Sequence, residues 1–152
     1  MITIIAIGKI KEKYIQNAVD DYMKRISYYD KISIIELKEN LGATSLQTRE
    51  NEGRDILAKI NPNAFVILND LGGKLLSSEE LSKVIDDAYI FKGGNIVFVI
   101  GGSDGVSNAV KQRADFKLAF SNMTFPHQLF RVILFEQIYR SFKIIKNETY
   151  HK

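Results

Sequence analysis

The sequence predicts a single-domain α/β fold, residues 1–152, in which a mostly parallel sheet carries helices on both faces. The chain has 152 residues, the size of one domain with a buried core. Short apolar runs alternate with amphipathic stretches from end to end, which is typical of βα units. One apolar run, 96–100, leads straight into a loop with three glycines, as strands do at the ligand-binding edge of open α/β sheets.

The first half of the chain contains three predicted strands and two predicted helices. The strands are expected at 2–8, 31–37 and 64–69. A helix is expected over 12–27, because its apolar residues recur with the 3.6-residue period of an α-helix. A second helix is expected over 46–60, because Asn61-Pro62 cannot continue it.

The second half continues the alternation. After the turn "DLGGK" (70–74), Ser77 and Glu80 form an S-x-x-E capping box that opens a helix over 78–91, which Gly93-Gly94 end. The strand of the glycine loop, a short helix and a further strand then follow, at 96–100, 103–113 and 116–121.

The last helix is expected over 127–145, after Pro126, whose fixed φ suits the first turn of a helix. It is the most apolar helix of the chain, and its apolar residues occupy more than one face. One side can pack on the sheet. The other side predicts a second subunit, and therefore a homodimer.

Composition limits the function classes. Hydrophobic residues make up 45% and charged residues 26%, and no apolar run approaches the roughly 20 residues of a membrane span, so no membrane association is expected. The first residues, "MITIIAIGKIKEK", lack the features of an export signal. The absence of cysteine excludes disulfides, thiolate zinc sites and a cysteine nucleophile, and it fits the cytoplasm. With only two histidines, no metal site is expected.

Positive charge is concentrated at the end of the sequence. Residues 109–152 carry eight Lys and Arg against three acidic residues, whereas the rest of the chain is slightly acidic. This asymmetry indicates either a surface that binds a polyanion or a solvated basic helix face. The basic residues of this part are Lys111, Arg113, Lys117, Arg131, Arg140, Lys143, Lys146 and Lys152.

Three loops follow the carboxyl ends of predicted strands, at 69–74, 101–105 and 121–127. In an open α/β sheet such ends line one crevice, so the loops predict a small-molecule pocket rather than plain connecting turns. Glycine is expected there because backbone must approach the ligand closely. The loops offer Ser, Asn, Thr, Met123 and Phe125 but little charge, which suits an adenine or a thioether better than a triphosphate.

The known phosphate-binding templates do not match. The chain has no G-x-G-x-x-G, and Gly73-Lys74 is followed by Leu75, where a P-loop needs Ser or Thr. Two other classes stay open on the residues alone. One is a flavodoxin-like or dinucleotide-binding protein with a phosphate in the same crevice. The other is a cofactor-free RNA-binding module that uses the basic end of the chain.

Three segments in this order and spacing, "FVIGGSDG", "FSNMTFPHQLFRVILFEQIYRSFKI" and the terminal "YHK", resemble the RlmH family of SPOUT methyltransferases. The similarity extends over essentially the whole chain. It implies a trefoil knot in the C-terminal half, about 65–152, S-adenosylmethionine as the methyl donor and a homodimer. The family's reaction is N3-methylation of a pseudouridine in 23S ribosomal RNA, with the assembled ribosome as the substrate.

The resemblance also implies the cofactor-binding residues, which are Asn69, Gly101, Gly102, Phe120, Ser121, Asn122, Met123, Thr124 and Phe125. Most of these contacts are expected through the main chain. One position departs from the family, which usually reads T-L-[DE] where this chain has Leu68-Asn69-Asp70. A side-chain contact at this position could therefore differ from the family's.

The family's motifs E-x-x-YR and terminal YH imply that Arg140, Tyr150 and His151 act in catalysis, with His127 and Glu136 near the active site. By spacing alone, Glu136 and Arg140 form an i,i+4 ion pair, and a chain terminus is ordinarily frayed. The reaction requires residues of these types, because the imide N3 of pseudouridine must lose a proton before it attacks a methyl group. A histidine titrates in the useful range, and an arginine or tyrosine can stabilise the resulting anion.

Overall fold

The computed structural model describes residues 1–151, in which five strands and five helices alternate. In chain order they are β1 (Ile2–Ile7), α1 (Lys13–Ile26), β2 (Ile32–Leu37), α2 (Ser45–Leu57), β3 (Phe65–Leu75), α3 (Ser78–Phe91), β4 (Ile96–Ile100), α4 (Asn108–Arg113), β5 (Phe116–Ala119) and α5 (His127–Ile145). The predicted alternation of strands and helices is confirmed. Within residues 1–151, no helix is both long and apolar enough to cross a membrane.

The strands form one parallel sheet in the order β2-β1-β4-β3-β5. Because every strand runs in the same direction, the loops after β1, β3, β4 and β5 all leave the same edge. The inner strands β1 and β4 and the first part of β3, residues 66–68, are buried on both faces, which explains their nearly continuous runs of apolar residues.

Helices cover both faces, as predicted. Alternate residues of the inner strands, such as Ile4 and Phe98, pack under α1, α3 and α5. Their neighbours, such as Ile5 and Val99, pack under α2 and α4. The result is a three-layer α/β/α domain.

Two helix boundaries match the sequence signals. Ser77 and Glu80 form the predicted capping box, and α3 covers the expected range 78–91. Gly93 and Gly94 both follow this helix with positive φ, the region that glycine reaches most easily. Helix α5 begins directly after Pro126 and covers the expected range 127–145.

The predicted turn after Asn69 is wrong. Strand β3 extends to Leu75, and its pairing with β5 shifts register between Asn69 and Lys74, so that residues 70–73 bulge out of the ladder. Gly73 then passes so close to β5 that a Cβ there would lie 2.7 Å from the Leu118 backbone. Only a residue without a side chain fits this approach.

The short helix predicted over 103–113 starts later, at Asn108, because Ser107 caps it by accepting a hydrogen bond from the Val110 N–H. Residues 101–107 are thereby left as a loop. Strand β5 ends at Ala119 rather than at 121, which adds Phe120 and Ser121 to the loop before α5.

The reason given for a second subunit is also wrong. Helix α5 packs against both α1 and α3 in addition to the sheet, so its second apolar side is largely covered within one chain. The homodimer therefore stays a prediction that needs other support. The trefoil knot implied by the RlmH resemblance likewise stays a prediction.

Candidate active site

A cavity of about 250 Å³ opens at the carboxyl edge of the sheet, where the loops after β4 and β5 meet the bulge of β3. The predicted cofactor residues other than Asn122 all contribute to its wall. The lining consists of Asn69, Asp70, Leu71, Ile100, Gly101, Gly102, Ser103, Gly105, Val106, Leu118, Ala119, Phe120, Ser121, Met123, Thr124, Phe125, His127 and Phe130.

The glycine loop has a shape of its own. The Gly105 N–H donates to the Gly102 carbonyl at 3.1 Å, and Gly105 adopts a φ of +84°. A Cβ on Gly101 would lie 2.5 Å from the Val106 side chain. Packing inside the loop therefore requires glycine at 101, whereas the expectation that a ligand approaches its backbone stays a prediction.

Asn69 lies in the cavity wall and has one unpaired polar atom in its side chain. Its side-chain N–H donates to the Val99 carbonyl at 3.0 Å, and because that carbonyl can only accept, the orientation of the amide is fixed. The other amide atom, Oδ1, is buried without a hydrogen-bond partner among the described residues. Asn69 therefore offers a side-chain acceptor where the sequence predicted mainly main-chain contacts.

The loop after β5 forms an apolar wall. The rings of Phe120 and Phe125 lie 4.9 and 6.3 Å from the ring of Phe130 on α5, measured between centroids. Ser121 Oγ accepts a hydrogen bond from the Met123 N–H at 3.0 Å, which shapes the turn. The side chain of Met123 is 71% exposed beside the opening, so an apolar side chain faces solvent next to the cavity.

His127 lies in the cavity wall at the first residue of α5. The next residue, Gln128, accepts a hydrogen bond from the Lys11 N–H at 2.9 Å and thereby attaches the loop after β1 to this end of the helix. His127 is exposed and has no hydrogen bond to the described residues, so its imidazole is free to contact a ligand.

The other predicted catalytic residues form a separate group, which we call the tail cluster: Glu79, Glu136, Arg140, Tyr150 and His151. Arg140 binds Glu136 Oε1 through Nε at 3.0 Å and through Nη2 at 2.5 Å. The Tyr150 hydroxyl donates to the same oxygen at 3.2 Å, and Arg140 lies 4.7 Å from the Tyr150 ring centre. The segment at 150–151 is thus packed against α5.

His151 uses both ring nitrogens. Nδ1 lies 3.1 Å from Arg140 Nη1, and Nε2 lies 2.6 Å from Glu79 Oε1. Arginine can only donate and a carboxylate can only accept, so this arrangement fits a neutral imidazole with its proton on Nε2. Glu79, at the start of α3, was not predicted, because nothing in its sequence context links it to the chain end.

Charge and burial shift the pKa values of this cluster. Burial, together with hydrogen bonding to Tyr22 and the charge of Glu136, raises the pKa of Tyr150 to about 12. The hydrogen bond to Glu136 raises the pKa of Arg140 above its ordinary value. Tyr150 and Arg140 therefore both stay protonated at neutral pH and act as hydrogen-bond donors.

The tail cluster and the cavity do not meet within one chain. Among the described residues, the cavity lining includes Phe130 of α5 but no member of the tail cluster. Phe130 and Arg140 are ten residues apart on α5, which is about 15 Å along the helix. The structure thus brings the predicted cofactor residues together and leaves Arg140, Tyr150 and His151 at a second position.

Comparison with known proteins decides the family. The sequence profile described as "Predicted SPOUT methyltransferase" matches residues 1–151. The chain belongs to the SPOUT methyltransferase family. It is 52% identical to the Ribosomal RNA large subunit methyltransferase H 1 of Clostridium perfringens strain SM101, with 99% of both chains covered. The proteins named Ribosomal RNA large subunit methyltransferase H of Clostridium beijerinckii and Clostridium kluyveri are 52% and 50% identical, again over 99% of both chains.

These relatives confirm the RlmH resemblance, and this SPOUT methyltransferase is accordingly an enzyme. The described residues contain no group of three or more His, Asp or Glu side chains arranged to hold a metal ion.

The structure revises the basic surface expected of this SPOUT methyltransferase. Arg131 is 1% exposed, pairs with Glu36 at 2.7 Å and donates to the Ile7 and Gly8 carbonyls at 2.8 Å. Arg131 therefore connects α5 to the ends of β1 and β2 and cannot contact a phosphate.

The other basic residues differ in exposure. Arg113 is held by Asp115 and by the Ala64 carbonyl. Lys117 and Lys146 are exposed, whereas Lys152 lies outside the described residues.

One residue that the sequence reasoning missed lies behind the glycine loop. Thr48, Glu52 and Ile56 follow one another at helical spacing on α2, and all three are buried. A charged residue in the buried stripe of a helix is a recognisable signal, because such a position normally carries an apolar side chain. Glu52 is considered further below.

Proposed function

We propose that this SPOUT methyltransferase transfers the methyl group of S-adenosylmethionine to N3 of a pseudouridine in 23S ribosomal RNA, the nucleotide numbered 1915, on the assembled ribosome. The relatives at 50–52% identity, all named for methylation of large-subunit ribosomal RNA, support the RNA substrate. Such a substrate implies action in the cytoplasm. The observation that carries the proposal is the cavity at the glycine loop, whose wall holds the predicted cofactor residues other than Asn122.

The residues of the cavity fit S-adenosylmethionine. Asn69 lies in the cavity wall with its Oδ1 buried and unpaired, and a small movement of this wall on binding would let Oδ1 accept a hydrogen bond from an amino or hydroxyl group of the cofactor. The wall around it contains apolar side chains, glycine backbone and Asp70, and no Lys or Arg occurs among the described lining residues. Such a wall favours an adenosine with a cationic sulfonium over a cofactor with phosphates.

When bound, S-adenosylmethionine supplies an electrophilic methyl group, and the protein's part is to prepare the nucleophile. The N3 imide must lose its proton, and His151 in its neutral form is the group proposed to accept it. In the tail cluster Nε2 carries the proton and the lone pair of Nδ1 accepts from Arg140, so the Arg140 contact must first break before Nδ1 can accept the N3 proton. Arg140 and Tyr150, both protonated, can then donate to the pseudouridine oxygens on which negative charge develops.

A homodimer would join the two positions. Because the cavity and the tail cluster are separate in one chain, we propose that the tail cluster of one subunit completes the cavity of the other. Exposed apolar side chains around the cavity support such a contact: Leu71 is 61% exposed, Met123 71% and Leu129 44%. Such a cluster of apolar side chains in water is typical of a surface that a partner covers.

The test uses ribosomes from cells that lack this methyl group, incubated with the purified protein and isotopically labelled S-adenosylmethionine. We expect one labelled methyl group per ribosome, located by mass spectrometry of the digested 23S RNA on N3 of a pseudouridine. Free 23S RNA serves as the control for the assembled substrate. Label in another nucleotide, or no label although the cofactor binds, would refute the proposed reaction.

A further inference from the structure

Glu52 is a buried carboxyl group to which the proposed reaction assigns no role. It lies on α2, is 3% exposed, and receives one hydrogen bond, from the Asn40 N–H to Oε1 at 3.3 Å. Its second oxygen, Oε2, is buried without a partner among the described residues. Burying an unsatisfied polar group lowers the stability of the fold, so the presence of a carboxyl group at position 52 needs an explanation.

The unpaired oxygen faces the back of the glycine loop. A Cβ built on Gly102 would lie 2.6 Å from Glu52 Oε2, so the carboxyl group occupies the space that any side chain at 102 would need. Two further contacts attach α2 to this loop. Ser45 Oγ lies 2.9 Å from Asp104 Oδ1, and Arg49 donates to the Asp104 carbonyl at 3.5 Å. Helix α2 therefore supports the loop from behind while the front of the loop lines the cavity.

We propose that Glu52 is a positioning residue that fixes Gly102 and with it the glycine-loop wall of the cofactor cavity. This inference rests on the proposed function, because it assumes that the cavity binds S-adenosylmethionine. Glu52 acts through the loop and contacts no reacting atom.

The surroundings of Glu52 disfavour its charged form. Burial is the main cause that raises the pKa of Glu52, and the nearby carboxylates of Asp104, Glu39 and Asp55 raise it further, whereas the Asn40 N–H lowers it. The only cation of α2 near the loop, Arg49, donates to a backbone carbonyl rather than to Glu52. On the side of β1 the surroundings of Glu52 are apolar, since the side chain of Ile7 lies 3.2 Å from the position that a Cβ on Gly102 would take.

The sign of the pH effect follows from this environment. As pH rises through the raised pKa, Glu52 acquires a negative charge that has no cationic partner and lies against Gly102. The loop must then move, or water must enter behind it. Cofactor binding is expected to weaken as pH rises.

The experiment measures the Kd of S-adenosylhomocysteine, the demethylated cofactor, by calorimetry at pH 5.5 and pH 8 for the wild type and three variants. Glu52→Gln keeps the shape and stays neutral, whereas Glu52→Ala removes the support. Glu50→Gln is the matched control, because it removes the same charge from an exposed position of α2. Other groups near the cavity, such as His127, are the same in the wild type and in Glu52→Gln, so the difference between these two pH profiles tests the inference.

We expect wild-type binding to weaken at least threefold more than Glu52→Gln binding between the two pH values. Glu52→Ala should bind at least tenfold more weakly at both, and Glu50→Gln should follow the wild type. Equal pH profiles for the wild type and Glu52→Gln would overturn the inference, and this comparison decides even if Glu52→Ala fails to fold. A wild-type protein that does not bind S-adenosylhomocysteine at all would instead refute the proposed function.

Discussion

The cavity and the tail cluster differ in how their polar groups are satisfied. At the cavity, Asn69 Oδ1 has no partner, and the glycine loop is held by its own Gly105–Gly102 hydrogen bond and by α2 behind it. In the tail cluster, both nitrogens of His151 are bound and Glu136 holds two donor side chains. The cavity is therefore prepared to receive a ligand, whereas the tail cluster must break bonds before it can act on one.

Because of this difference, substitutions in the two regions should change different measured quantities. A preformed cavity binds its ligand with little reorganisation, so substitutions there should change cofactor affinity directly. Catalytic groups that move into place only in the substrate complex should leave cofactor affinity unchanged and lower the rate. The following variants test whether binding and catalysis divide in this way.

The largest effect is expected at the chain end. His151→Ala should reduce methylation of ribosomes about 100-fold, the usual scale for the loss of a general base, because the N3 proton then has no acceptor. The Kd of S-adenosylhomocysteine should stay within twofold of the wild type. Deletion of residues 150–152 should give a loss at least as large, since Tyr150 is removed as well. Initial rates with labelled cofactor and calorimetry supply the two readouts.

His127→Ala is the variant to compare with His151→Ala, because His127 lies in the cavity wall. It should weaken cofactor binding more than it lowers the rate at saturating cofactor. If instead the truncated protein methylates ribosomes at the wild-type rate, the tail assignment is wrong, and the base must be sought at His127, at Arg140 or on the substrate itself.

Mixed dimers should show the next largest effect. Gly101→Val weakens cofactor binding and His151→Ala removes the proposed base, so with cofactor held well below the wild-type Kd each homodimer should keep at most about a tenth of the wild-type activity. If the two regions combine across a dimer, random mixing makes half of the dimers hybrid, each with one intact site, and about a quarter of wild-type activity should return. Activity that stays at the level of the separate variants, in dimers shown by mass spectrometry to be hybrid, would place the complete site within one chain.

Gly101→Val is expected to weaken S-adenosylhomocysteine binding at least tenfold, or about 1.4 kcal/mol. The added side chain must displace Val106, whose side chain lies 2.5 Å from the position of the new Cβ. The loop would then lose its shape although no atom has entered the ligand space. Circular dichroism should show the wild-type fold. Unchanged affinity in a folded variant would remove this loop from the binding site.

The same contrast explains what the sequence could predict. Local signals predicted the fold well: the capping box at Ser77 and Glu80 and the proline at 126 set helix boundaries that the structure confirms. The cavity was predictable because strand ends in a parallel sheet share one edge. The bulge at 70–73 was missed because it depends on how β3 and β5 pair, and pairing between distant strands leaves no local pattern.

The contacts of the tail cluster were even harder to predict from the sequence. The role of Tyr150 and His151 came from a family resemblance, and the partner Glu79 is 72 residues away from His151 in the chain. Glu52 was missed for a related reason, since only the packing of α2 on the glycine loop gives it a position behind the cavity. Contacts of this kind arise from tertiary structure, which spacing and composition do not encode.

The smallest effect is expected at Asn69. Asn69→Leu removes the unpaired acceptor in a side chain of similar size, so binding of S-adenosylhomocysteine should weaken about fivefold, the scale of one neutral hydrogen bond of about 1 kcal/mol. The control Asn95→Leu makes the same change before β4, at the opposite edge of the sheet, and should leave the Kd unchanged. Because the lost hydrogen bond is made equally before and during methyl transfer, the rate at saturating cofactor should not fall. A fall in that rate with an unchanged Kd would mean that Asn69 acts on the reacting groups, and the separation of binding in the cavity from catalysis in the tail cluster would then be wrong.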